Sequence, residues 1–208
     1  MSNTATENVS DAVRSATREA ANASPDLNIL LAGFGGQGIL FAGKLIAYAG
    51  LLDGREVSWL PSYGPEMRGG TANCSVCLAR TPIGSPLVIE PDVLVAFNRP
   101  SYDSFVDKVK PGGLVLVDKT MIDVCPLRED IRFESIEATQ LAEDNELKGL
   151  ANVVAVGKLL QLTGFSTVGQ VEVAIEKSVS AKRHDLIGFN KKALAIGYDT
   201  VSPKDCDR

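Results

Sequence analysis

Between Leu31 and Leu40 the chain reads Leu-Ala-Gly-Phe-Gly-Gly-Gln-Gly-Ile-Leu, with glycine at positions 33, 35, 36 and 38. Ile29-Leu-Leu-Ala32 ahead of it has the unbroken apolar character of a strand buried on both faces. Behind it, Ile39, Leu40, Ala42, Gly43, Leu45, Ile46 and Ala49 fall on one side of a helix over residues 39–52, which Asp53-Gly54 closes. Strand, glycine turn and helix in that order commit the chain to an α/β fold. They place the turn, residues 33–38, at the carboxyl edge of a sheet, where ligands gather. Gly33, Gly35 and Gly38 match G-x-G-x-x-G, with Gly36 and Gln37 in the variable places. Glycines there permit a tight turn and a close ligand approach, and the helix start offers unpaired N–H groups to an anion. Close packing alone is the competing explanation for the same glycines.

Further along, apolar runs predict strands over residues 56–60, 71–79, 93–97, 114–117 and 131–136, the last at an edge. Helical spacing predicts helices over 100–109, 137–147, 150–162, 168–179 and 186–198. Pro61 is expected to end the second strand, and the strand at 71–79 to run antiparallel, since no helix joins it to its predecessor. The fold class is therefore α/β: a three-layer Rossmann-like domain with a mixed, mostly parallel sheet and a helical C-terminal third. Residues 1–26, poor in large apolar groups, read as a flexible tail; 27–201 form one domain, and 202–208 a polar tail.

A formal charge of −5 argues against nucleic acid as a partner. No apolar run approaches the about 20 residues of a membrane span, and the start of the chain lacks the apolar core of a signal peptide. A cytoplasmic protein with free thiols at Cys74, Cys77, Cys125 and Cys206 is expected. Cys74 and Cys77 form C-x-x-C, but three residues apart on a strand they face opposite ways and make no metal site. His184, the lone histidine, lies in the charged run Lys182-Arg-His-Asp185 and reads as a surface residue.

A nicotinamide-binding domain should carry an acid at the end of its second strand; here that end reads Ser58-Trp-Leu-Pro-Ser62, and Glu56 lies at the wrong end. No Gly-Lys-Ser/Thr makes a P-loop. The next loop, Ser62-Tyr-Gly-Pro-Glu-Met-Arg-Gly-Gly70, holds Tyr63, Glu66 and Arg68 among glycines. Turn chemistry accounts for Gly64-Pro65 and Gly69-Gly70 but not for those three. Arg68 offers a fork of donors to an anion or a partner's carboxylate, and Tyr63 a stacking face and a hydroxyl. A solvated loop is the bland alternative. Asn98 follows the buried strand Val93–Phe97, where a turn role and a ligand contact are equally open; Asp118 stands likewise at the end of the strand over 114–117.

Gly33-Phe-Gly-Gly-Gln-Gly38 together with Trp59-Leu-Pro-Ser-Tyr-Gly-Pro-Glu-Met-Arg-Gly-Gly-Thr-Ala-Asn-Cys-Ser-Val76 resembles the gamma subunits of 2-oxoacid:ferredoxin oxidoreductases, most of all the 2-oxoglutarate type. The resemblance runs from about Asn28 to about Thr200 and includes Asn98-Arg-Pro100. It implies a subunit of an enzyme that oxidatively decarboxylates a 2-oxoacid to an acyl-CoA, with 2-oxoglutarate to succinyl-CoA as the expected reaction. Thiamine diphosphate, magnesium and iron–sulfur clusters would lie in partner subunits, with none bound by this chain alone; coenzyme A is the co-substrate. The implied partners are alpha and beta subunits, a ferredoxin-like delta subunit and ferredoxin, and the isolated chain would be inactive. Because an isolated subunit exposes an interface meant for partners, it is expected to self-associate, most often as a two-fold homodimer. No catalytic residue is expected here. Gly33, Gly35, Gly36, Gln37, Gly38, Tyr63, Glu66, Arg68, Gly69, Gly70 and Asn98 are the expected binding residues. A stand-alone dinucleotide-binding oxidoreductase and a purely structural interaction module are the rival readings.

Overall fold

The apolar runs and helical patterns assemble into one six-stranded sheet flanked by helices. The computed structural model describes residues 25–62, 71–124 and 128–201; the N-terminal tail up to residue 24, the loop 63–70, residues 125–127 and the C-terminal tail lie outside the described residues. The strands are β1 (Leu27–Phe34), β2 (Glu56–Ser62), β3 (Thr71–Ala79), β4 (Val93–Ala96), β5 (Leu114–Asp118) and β6 (Arg132–Ile136), in the spatial order β2-β3-β1-β4-β5-β6. β3 is antiparallel to both its neighbours, whereas β1, β4, β5 and β6 pair in parallel. The mixed sheet is as expected. The eight residues between β2 and β3 are too few for the crossover that a parallel pair needs, and β3 lies between β2 and β1.

The helices are α1 (Ile39–Leu52), α2 (Arg99–Phe105), α3 (Ala138–Asp144), α4 (Ala151–Thr163), α5 (Val168–Ser178) and α6 (Leu186–Asp199). Alternation along the strands sends Ile29, Leu31, Cys74, Val76, Val95 and Leu116 to a large core beneath α1, α4, α5 and α6. Leu30, Cys77, Leu94, Val115 and Val117 go to a smaller core under Tyr102, Val109 and Ile122. Among the described residues no helix is long and apolar enough to cross a membrane.

Three local readings change. β1 continues through Gly33 to Phe34, so Gly33 belongs to the strand and not to the turn. Pro61 does not end β2, which runs to Ser62; β2 is the outermost strand, where a residue without an N–H is tolerated. The helix expected over 100–109 is α2 followed by a single 3₁₀ turn, Val106–Lys108.

Close approach at glycine sets the helix layer. A Cβ on Gly197 would stand 1.8 Å from the Val154 carbonyl oxygen, and one on Gly157 2.1 Å from that of Leu194, so α4 and α6 cross backbone to backbone. Gly43 and Gly50, two turns apart on α1, instead face side chains of β3: a Cβ at Gly43 would meet Cys74 Sγ, and one at Gly50 would meet Leu78 Cδ2 at 2.5 Å. We expect Gly197→Ala to cost about 2 kcal/mol, because overpacking against a main-chain oxygen outweighs the helix propensity gained. In a chain of this size that lowers Tm by about 4–8 °C in thermal denaturation.

Candidate glycine-turn site

Phe34 closes β1, and Gly35 to Gly38 turn the chain into α1, with the Gln37 N–H donating to the Phe34 carbonyl at 3.2 Å. The glycines have separate reasons. Gly36 (φ 93°) and Gly38 (φ 75°) adopt left-handed backbone that disfavours a side chain. Gly33 is extended, but a Cβ there would meet Ile39 Cδ1 at 2.7 Å and Gln37 Oε1 at 2.8 Å, so its reason is packing.

Gln37 fastens the turn from within. Its Oε1 accepts from the Phe34 N–H at 2.6 Å and from Asn98 Nδ2 at 3.4 Å, and its Nε2 donates to the Phe97 carbonyl at 3.0 Å. Asn98 is buried and caps α2, its Oδ1 accepting from the Ser101 N–H at 2.8 Å. From below, buried Asn152 in the first turn of α4 donates through Nδ2 to the Gly38 carbonyl at 3.0 Å. The predicted residues Gly33, Gly35, Gly36, Gln37, Gly38 and Asn98 therefore meet at the carboxyl ends of β1 and β4. Tyr63, Glu66, Arg68, Gly69 and Gly70 lie outside the described residues. The residues flanking that loop are placed: Thr71 pairs with Phe34, and Ser62 with Asn73 next to β1.

This edge suits an anion. The N-terminus of α1 has no capping side chain and no acid in its first turn, and no described residue takes the N–H of Gly35, Gly36 or Gly38. It also lies where the sheet order reverses: the chain leaves β1 for β2 and β3 on one side and returns to β4 on the other, the usual place of a ligand crevice. The ribose-binding acid of a dinucleotide fold has no place here, because β3 separates β2 from β1.

The other candidates resolve into structure. Burial raises the pKa of Asp118, opposed by hydrogen bonds from Thr139 and Thr120; its carboxylate accepts from both main-chain N–H groups and from the Thr139 hydroxyl. Cys74 and Cys77 sit in the two separate cores, so they do not fit an iron–sulfur cluster. Burial pushes the Cys74 thiol up to about 12 and raises that of Cys77. His184 is exposed after the 3₁₀ turn Ala181–Arg183. The main-chain oxygen of Phe97 carries no sequence signal. Neither did buried Arg55, which holds the carbonyls of Pro25, Leu78 and Phe165. On the sheet's other face a groove of about 410 Å³ is lined by Leu60, Pro61, Asn73, Leu87, Ile89 and Lys108. We expect iodoacetamide at pH 8 to leave Cys74 and Cys77 unmodified in the native chain and to alkylate both after denaturation, as read by peptide mass spectrometry.

Residues 28–200 match the family model described as pyruvate ferredoxin/flavodoxin oxidoreductase. The 2-oxoglutarate synthase subunit KorC of Methanocaldococcus jannaschii is 39% identical over 178 residues, covering 83% of this chain and 92% of that protein. The ketoisovalerate oxidoreductase subunit VorA of Methanothermobacter marburgensis is 39% identical over 176 residues, covering 84% of this chain but 36% of VorA, so this chain spans about a third of VorA's length. Among solved structures, the gamma subunit of a keto/oxoacid ferredoxin oxidoreductase from Geobacter sulfurreducens superposes with a TM-score of 0.71 at 28% identity, covering 83% of this chain and 96% of that one. A 2-oxoglutarate:ferredoxin oxidoreductase from Magnetococcus marinus, solved with 2-oxoglutarate, coenzyme A and succinyl-CoA bound, gives a TM-score of 0.73 at 29% identity over 83% of this chain and 30% of that one.

Proposed function

The chain belongs to the pyruvate ferredoxin/flavodoxin oxidoreductase family, and from that membership we propose that it is the gamma subunit of a 2-oxoglutarate:ferredoxin oxidoreductase. The enzyme would convert 2-oxoglutarate and coenzyme A to succinyl-CoA and carbon dioxide while reducing ferredoxin. The observation that carries this reading is the near end-to-end match to a KorC protein, which spans 92% of that subunit. Alpha, beta and ferredoxin-like delta subunits are its partners. Thiamine diphosphate with magnesium, held by partner chains, supplies the decarboxylation chemistry, and iron–sulfur clusters there carry the electrons.

This chain's part is to bind and orient. The N–H groups of Gly35, Gly36 and Gly38, which no described residue takes, hold an anionic group of coenzyme A next to the α1 N-terminus. Arg68 in the following loop adds a cationic fork to the same group, with Tyr63, Glu66, Gly69 and Gly70 shaping its surroundings. Exposed Phe34 at the turn, and Leu60, Leu87 and Ile89 around the sheet-face groove, supply the apolar edge a partner covers, and the same edge makes the isolated chain self-associate. The exclusion of a ribose acid by β3 weighs against the dinucleotide alternative.

Co-expression tests the reading. The chain co-purifies with alpha, beta and delta subunits, the complex reduces ferredoxin only with coenzyme A and 2-oxoglutarate present, and the chain alone is inactive. Micromolar binding of NAD(H) by the chain alone, or failure to co-purify, overturns it. In the complex, Arg68→Ala raises the KM for coenzyme A about tenfold, equivalent to about 1.4 kcal/mol. An unchanged KM and turnover remove Arg68 from the site and favour a purely structural loop.

A further inference from the structure

We propose that Gln37 is a positioning residue: its side-chain amide locks the glycine turn to the end of β4 and the start of α2, and so aims the turn's main-chain N–H groups. The proposal rests on the reading that this turn holds an anionic group of coenzyme A. From Gly35 to Gly38 every residue but Gln37 lacks a side chain. Glycine backbone has a wide choice of conformations, and neither Gly36 nor Gly35 has a side chain to limit it. A Cβ at Gly36 would touch nothing within 4 Å, so no described residue packs against that position. Gln37 is the only residue of the four able to restrain it through a side chain.

The amide does so with both ends. Oε1 has its two acceptor positions filled by the Phe34 N–H and Asn98 Nδ2, and Nε2 donates to the Phe97 carbonyl. The partners fix which way the amide points, because Phe97 offers only an acceptor and Phe34 only a donor. The strut joins residue 37 to residues 97 and 98 across 60 positions of sequence. Asn98, at its far end, also caps α2 through the Ser101 N–H, so the turn and the first turn of α2 share a partner. A side chain committed in this way to its own chain does not reach for a ligand. It pre-sets the amides that do, which lowers the ordering cost of binding.

Gln37→Met keeps the side-chain length and removes every bond; Gln37→Glu keeps the acceptor towards Phe34 and sets an oxygen against the Phe97 carbonyl. Both are measured in the assembled complex. The wild-type complex serves as the first control: coenzyme A slows hydrogen–deuterium exchange in the peptide spanning residues 34–38. If it does not, the assignment of coenzyme A to this turn fails, whatever the variants do. With that control met, Gln37→Met speeds exchange in the same peptide of the ligand-free complex. It also raises the KM for coenzyme A about tenfold, with kcat within twofold of wild type and the KM for 2-oxoglutarate unchanged. Gln37→Glu, which sets two acceptors against each other and adds a negative charge beside the anion, shows a rise at least as large. A KM for coenzyme A within twofold of wild type in Gln37→Met, or a loss of kcat alone, overturns the positioning role and leaves Gln37 as a fold residue.

Discussion

The seat of α1 on the antiparallel strand β3 governs the architecture around the glycine turn. A helix leaving β1 would ordinarily cover a parallel neighbour; here it crosses β3, with Gly43 against Cys74 and Gly50 against Leu78. Side chains at those two positions would have to displace the side chains of Cys74 and Leu78. With the helix down, Cys74, Val76 and Leu78 join the same core as Leu45 and Ile46. The insertion also moves β2 to the outer edge of the sheet and leaves β1 with a parallel partner, β4, on one side only. The crevice at the turn is a product of that asymmetry.

Apolar layers alone do not fix the ends of the strands, and buried polar side chains complete the work at main-chain groups. Arg55 gathers carbonyls from three separate segments at the amino end of β1. Asn152 and Gln37 hold the opposite end, one from beneath and one from the side. Each joins segments far apart in sequence, so each trades the desolvation of a polar group for a cross-link between layers. The two ends differ in what their polar groups face: Arg55 satisfies acceptors, whereas at the turn the N–H groups of Gly35, Gly36 and Gly38 have no partner among the described residues.

Most of the fold was legible because strand and helix periods differ and the apolar runs were clean. Val93–Ala96 and Leu114–Asp118 are buried throughout and read directly as central strands. The antiparallel course of β3 followed from a missing helix. Gly33 misled because a motif counts glycines without distinguishing a left-handed turn from a strand residue short of space. Pro61 misled because edge position, which makes proline acceptable, is a property of the whole sheet. At the site, the strand end before Asn98 marked that residue out, but left a turn role and a ligand contact equally open. That Gln37 would bond to Phe97 was not legible, because its partner is a main-chain oxygen 60 residues away.

The bond between Asn152 and Gly38 has a temporal meaning. The glycine turn is written within the first fifth of the chain, yet one of its supports arrives 114 residues later. Arg55 likewise waits 110 residues for Phe165. During synthesis from the amino end, β1, α1 and the strands beside them are made well before α4. The nascent chain thus carries a turn whose underside is open until its closing helices emerge. Contacts of such sequence separation slow folding, because loop closure must precede the gain.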